Sequence, residues 1–152
     1  MPPRLDSQYP HARLLALGLM LYGLLPFSGQ AAEKPHAPES IPGAITVTAE
    51  QVVELILSKP GLILIDSRKK SEYSKGHIEG AISLLNTGME REDLEKISAD
   101  KSATLIFYCN GPRCLRSSDA IRKAMAWGYR NVFWFRGGWK EWTDKRLPAI
   151  TD

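Results

Sequence analysis

At 152 residues the chain is long enough for one domain with a real core and too short for two of ordinary size. Its 43% hydrophobic and 24% charged residues are an ordinary globular balance, which excludes a disordered or low-complexity chain. The net charge of +3 comes from 20 Lys and Arg interleaved with 17 Asp and Glu, a pattern that argues against nucleic-acid binding and leaves a mild bias toward small anions.

The N-terminus reads as an export signal. Arg4, His11 and Arg13 give a basic start, and an apolar run over residues 14–25 follows. That run is shorter than the roughly 20 residues needed to span a bilayer. Gly29 and Ala31 offer a cleavage point after Ala31, so residues 1–31 are expected to be a signal peptide. The expected compartment is the bacterial periplasm. An uncleaved signal is the alternative and the only membrane association expected. Residues 32–44, with Pro35, Pro38 and Pro42 and few large apolar groups, read as a flexible leader to a domain over residues 45–150.

Ile45-Thr46-Val47 reads as a short edge strand. Thr48-Ala49-Glu50-Gln51 is a capping box, followed by Val52, Val53, Leu55 and Ile56 at helical spacing. Lys59-Pro60-Gly61 stops that helix. Three continuous apolar runs follow: Leu62-Ile63-Leu64-Ile65, Leu105-Ile106-Phe107-Tyr108 and Val132-Phe133-Trp134-Phe135. Continuous rather than alternating runs, separated by helical segments, predict strands of a parallel sheet covered on both faces. The intervening helices are expected over residues 90–97, after the second run with Ile121 and Met125 on one face and Gly128 as C-cap, and around Trp139 and Trp142.

Each run ends in a polar or glycine-rich turn, where open α/β sheets bind their ligands. The second ends at Cys109, the first residue of a Gly-Pro loop leading into a helix. A thiol there ionises easily, because loop amides and a helix start face it. Both cysteines of the chain, Cys109 and Cys114, lie in this loop, where a bridge would close a tiny ring and stabilise little. Their placement points to chemistry rather than architecture. Arg113 and Arg116 are close enough in sequence to attract a dianion.

Three blocks together resemble the rhodanese-like family. They are Asp66-Ser67-Arg68 with Glu72-Tyr73 and Gly76-His77-Ile78-Glu79-Gly80-Ala81, then Tyr108-Cys109-Asn110-Gly111, then Gly128-Tyr129-Arg130-Asn131-Val132 with Gly137-Gly138-Trp139 and Trp142. The resemblance implies an α/β fold, a central parallel five-stranded sheet flanked by helices on both faces. It also implies that Cys109 is a catalytic nucleophile. It would take a sulfane sulfur from a donor such as thiosulfate, hold it as a persulfide, and pass it to cyanide in assays or to a thiol or protein acceptor in cells. No cofactor or metal is implied. Two alternatives stay open: a non-enzymatic persulfide carrier, and a Cys109/Cys114 thiol–disulfide switch.

The persulfide loop would comprise Asn110, Gly111, Pro112, Arg113, Cys114, Leu115 and Arg116, with amides as donors except at Pro112. Asp66, Arg68 and Glu72 are expected to support it from below, and His77 to brace a turn. Six residues separate Cys109 from Arg116, so the phosphatase spacing of cysteine, five residues, arginine is not met. Cys114 has open readings: a thiol that resolves a persulfide, half of a disulfide lock, or a small apolar side chain on the inner face of the helix. Its alignment with Ser118 and Ile121 supports the last.

Overall fold

The computed structural model describes residues 35–152; the expected signal peptide lies outside the described residues. One parallel sheet carries the fold: β1 (Ile45–Thr46), β2 (Ile63–Asp66), β3 (Ile82–Ser83), β4 (Leu105–Tyr108) and β5 (Val132–Phe135). Their spatial order is β1-β5-β4-β2-β3. Around it lie α1 (Ala49–Ser58), α2 (Lys70–Tyr73), α3 (Arg91–Ile97), α4 (Arg116–Ala126) and α5 (Gly138–Asp144).

The pleat divides each apolar run between two cores. Ile65, Leu105, Phe107, Val132 and Trp134 pack with Leu94 of α3 and Ala120, Ile121 and Ala124 of α4. Leu64, Ile106, Tyr108, Phe133 and Phe135 pack with Val52 of α1, Tyr73 of α2 and Trp142 of α5. With helices on both faces, successive side chains are buried whichever way they point, so the sequence has no reason to alternate. The expected fold class is the observed one.

Local signals act where the sequence puts them. Thr48 caps α1: its Oγ1 accepts from the Gln51 amide (3.4 Å), and Gln51 Oε1 accepts from the Thr48 amide (2.9 Å). Gly128 ends α4 with positive φ (97°), and the Tyr129 amide reaches back to the Ala124 carbonyl (3.1 Å). β2 and β4 are neighbours with Asp66 opposite Tyr108, so their carboxyl ends open side by side. The Ser67 amide donates to the Tyr108 carbonyl (2.9 Å), carrying the pairing one residue past the strand.

Two expectations change. The described part of the leader is packed rather than free: Ala37 and Ile41 are buried among Ile65, Phe107 and Trp134. Its backbone is also held. Arg136 donates to the carbonyls of Pro38 (2.8 Å) and Ala37 (3.1 Å). The apolar side chains that help anchor this proline-rich stretch, Ala37 and Ile41, are too weak a pattern to separate from a linker. The second change concerns α4, which begins at Arg116. Cys114 and Leu115 therefore precede the helix, and Cys114 is not a side chain on its inner face.

Candidate active site

Beneath the site lies a buried ion pair. Arg68 donates to Asp66 through Nε (3.0 Å) and Nη2 (2.6 Å), and its Nη2 also donates to the Gly76 carbonyl (2.7 Å). Only 2% of Arg68 and none of Asp66 is exposed. Burial opposes the guanidinium's charge, but Asp66 outweighs it and raises the Arg68 pKa. The guanidinium stacks on Trp139 at 4.5 Å from the ring centroid. Tyr108 packs beside it, and its phenol accepts from the Ile78 amide (3.3 Å). Burial, then Asp66, push the Tyr108 pKa far up, so this phenol stays neutral. His77 stacks on Tyr73 and bonds the Tyr73 carbonyl through Nδ1 (3.0 Å), the bracing role expected of it.

The cysteine loop is held by its carbonyls. Those of Cys109 and Asn110 accept from the Trp139 and Lys140 amides at the start of α5 (2.8 and 3.0 Å). The Pro112 carbonyl accepts from Ala37 (2.8 Å), and the Gly111 carbonyl from Cys114 (2.9 Å). A trans peptide points its N–H opposite its C=O. With those carbonyls turned outward, the amides of Asn110, Gly111 and Arg113 face away from α5 and the leader. No acceptor among the described residues takes them. Loop amides without an acceptor are donors that an anion can take up.

Gly138 is what lets α5 come so close. It sits at φ 55°, and a Cβ there would overlap the Cys109 carbonyl oxygen and stand 3.1 Å from the Gly111 amide nitrogen. Glu72 fastens the two ends of the loop together. Its Oε1 accepts from Asn110 Nδ2 (2.6 Å), and its Oε2 from Arg116 Nη1 (2.8 Å) and the Lys69 amide (3.0 Å). Partial burial pushes this carboxyl up, but the bonds from Asn110, Lys69 and Arg116 outweigh it and hold its pKa at about 2.

Gly111-Pro112-Arg113-Cys114 is a hydrogen-bonded β-turn with proline at its second position, where a fixed φ suits the turn. It folds Cys114 back onto Cys109. The two are joined by a disulfide with Cα atoms 6.2 Å apart. In this state Cys109 is 1% exposed. Over the loop opens a pocket of about 970 Å³ lined by loop residues 110–116 with Pro35, His36 and Lys140. Among the described residues its lining holds three Arg or Lys and no carboxylate. Two of the three are engaged, Arg116 with Glu72 and Lys140 with Asp144 (2.5 Å). Among the described residues no carboxylate pairs with Arg113, which is exposed.

The structure thus brings residues 110–116 to one pocket, with Glu72 tied to the loop and Cys109 itself buried and bonded to the pocket residue Cys114. Asp66 and Arg68 form their own pair, and Glu72 serves the loop rather than that pair. Sequence reasoning missed Pro35, His36 and Lys140 as lining residues. Lys140 was findable, since Gly137-Gly138 already marked a turn beside the loop; nothing in the leader's sequence pointed to His36.

A strand-end cysteine on a doubly covered parallel sheet, its loop carbonyls bound and its amides free, defines a family by architecture. The sequence matches the rhodanese-like domain over residues 48–145, and the chain belongs to that family. It is 24% identical over 113 residues to the uncharacterized protein YibN of Escherichia coli K12, covering 74% of this chain and 77% of YibN. It is 31% identical over 129 residues to a tRNA uridine(34) hydroxylase of Escherichia coli, covering 77% of this chain but only 34% of the hydroxylase. The chain therefore spans about a third of that enzyme. A thiosulfate sulfurtransferase of Pseudomonas aeruginosa has the same fold, with TM-score 0.57 and 22% identity over 71% of this chain and 20% of its own.

Proposed function

We propose that the protein is a sulfurtransferase that moves a sulfane sulfur from a small anionic donor such as thiosulfate to a thiol through a Cys109 persulfide. The observation that carries the reading is the arrangement of the Cys109 loop. Its carbonyls are bound outward, while the amides of Asn110, Gly111 and Arg113 and the Arg113 guanidinium are left for an anion. Family membership and the fold shared with the Pseudomonas sulfurtransferase support it.

The steps follow from nucleophile chemistry. With the disulfide reduced, the Cys109 thiolate attacks the outer sulfur of thiosulfate. A Cys109–sulfur bond forms, the donor's S–S bond breaks, and sulfite leaves with the electron pair. The persulfide anion rests against the loop amides until an acceptor takes its outer sulfur. No proton-shuttling base is needed, consistent with the neutral, buried Tyr108 and the bracing role of His77.

The test is thiosulfate:cyanide turnover of the reduced chain, read as thiocyanate. Cys109→Ser is expected to abolish it. Absence of turnover on thiosulfate and on polysulfide, in both the unaltered chain and Cys114→Ser, would overturn the reading. A second reading, a thiol–disulfide switch, is favoured by the Cys109–Cys114 bond, which leaves the nucleophile 1% exposed. It expects activity that falls on oxidation and recovers on reduction in the unaltered chain but not in Cys114→Ser. Export to the bacterial periplasm is part of the proposal and rests on residues 1–31; finding the unprocessed chain in the cytoplasmic fraction would overturn it.

A further inference from the structure

The persulfide reading leaves Cys114 without a task, yet the loop is shaped to deliver it. The Gly111-Pro112-Arg113-Cys114 turn is closed by the Cys114 amide on the Gly111 carbonyl (2.9 Å), and Pro112 fixes its second corner. The Pro112 carbonyl is held by Ala37 (2.8 Å), so the turn is anchored from outside as well. The consequence is that Cys114 meets the Sγ of Cys109 itself, and the two are bonded. Cys114 remains partly exposed and lines the pocket, whereas Cys109 is buried.

A persulfide offers a thiolate two sulfurs. Attack on the outer one transfers it onward. Attack on the inner one displaces the outer sulfur as hydrosulfide, a low-pKa leaving group of the kind that departs readily in thiol–disulfide exchange. We propose that Cys114 is the resolving thiol for the inner attack, so that the protein releases the donor's sulfur as sulfide. This rests on the Cys109 persulfide of the preceding reading.

The step balances without any further reagent. The Cys114 thiol gives its proton to the outer sulfur of the persulfide anion and attacks Cys109 Sγ as the thiolate; the Cys114–Cys109 sulfur bond forms and the bond from Cys109 Sγ to the outer sulfur breaks. The electron pair leaves on the outer sulfur, which departs as hydrosulfide. Counted from two free thiols and the donor's sulfane sulfur, that sulfur gains two electrons over the sequence and each cysteine sulfur gives one. The product is the disulfide form that the structure presents. Hydrosulfide leaves into the pocket beside Arg113 and Arg116, a cationic exit for an anion. Each further turnover requires an external dithiol to reduce the disulfide.

The experiment uses the full chain, reduced, freed of reductant and kept anaerobic so that oxygen cannot form the disulfide. It is mixed with stoichiometric thiosulfate, and sulfite, sulfide and intact mass are read. The unaltered chain is expected to release one sulfite and one sulfide and to end two hydrogens lighter. Cys114→Ser is expected to release the sulfite, release no sulfide, and end one sulfur heavier; Cys114→Ala serves as a second variant should serine perturb the loop. If both variants gain the sulfur and the unaltered chain also keeps it without releasing sulfide, the resolving role fails and the sulfurtransferase reading stands. If no form releases sulfite or gains a sulfur, both fall.

Discussion

Two turns sit side by side at the carboxyl ends of β2 and β4, and they treat their polar groups in opposite ways. In the Asp66-Ser67-Arg68 turn the charges are spent inward. The guanidinium is paired with Asp66, bonded to the Gly76 carbonyl and covered by Trp139. In the Cys109 loop the groups that can meet an anion are spared: carbonyls are bound to α5, Cys114 and the leader, the amides of Asn110, Gly111 and Arg113 meet no acceptor among the described residues, and Arg113 stands in solvent. Neighbouring strands thus end in a support and a site. The difference is legible in who uses the hydrogen bonds, not in which turn carries more charge.

The two turns should differ most at Arg68. Arg68→Ala strands Asp66, fully buried, without its partner, and removing one member of a buried pair costs about 3–5 kcal/mol. The expected result is a large loss of stability in chemical denaturation. Arg116→Ala, at a pair roughly one-third exposed, should cost about 1 kcal/mol or less. Equal losses for the two would show that the support is not a distinct layer.

Gly138→Ala comes next. A left-handed residue other than glycine costs on the order of 1–3 kcal/mol, and here the added methyl also presses on the Cys109 carbonyl. The loop should be driven from α5, freeing the carbonyls of Cys109 and Asn110. Expected are a lower Tm and, in the protein that remains folded, a fall in persulfide loading from thiosulfate. A variant with lower Tm but undiminished loading would show that the α5 contacts do not shape the cradle.

How much of this was readable beforehand depends on the range of the interaction. The sheet was legible because both faces are covered, so each strand prints a continuous apolar run. The capping box at Thr48 and the stop at Gly128 were legible because they act over three or four residues. Cys109 stood out by its position at a strand end. Cys114 misled: four and seven residues ahead of Ser118 and Ile121, it fits a helical face, but the proline turn delays the helix to Arg116. The Glu72 clamp joins residues 38 and 44 positions apart, and the Ala37 and Arg136 anchors of the leader lie farther still. No local pattern encodes such partners.

Glu72 ties the loop down in a pH-dependent way. Folding lowers its carboxyl from 4.5 to about 2, because its bonds to the loop outweigh the cost of partial burial. Its contribution to stability is therefore complete above 4.5 and is lost as pH falls through about 2. Stability followed by denaturation across that window should decline more steeply in the unaltered chain than in Glu72→Gln. The variant should also lose a modest part of its stability at neutral pH, since an amide cannot accept from Asn110, Arg116 and Lys69 as a carboxylate does. A pH profile that the substitution leaves unchanged would remove Glu72 from the clamp.

The smallest effect separates the two arginines that the sequence left side by side. Arg116 is held by Glu72, whereas Arg113 is exposed and pairs with no carboxylate among the described residues. Arg113 should therefore act on the donor by attraction alone. Arg113→Ala is expected to raise the KM for thiosulfate about threefold to tenfold, or roughly 0.7–1.4 kcal/mol, with kcat little changed. An exposed charge is screened over about 10 Å at 0.1 M salt, so the gap between the two forms should shrink as salt rises. The stability lost in Arg68→Ala, whose pair lies out of solvent, should not respond to salt in that way. A salt-independent KM effect at Arg113 would instead mean a direct, desolvated contact with the donor, and would move this residue from the rim of the cradle into it.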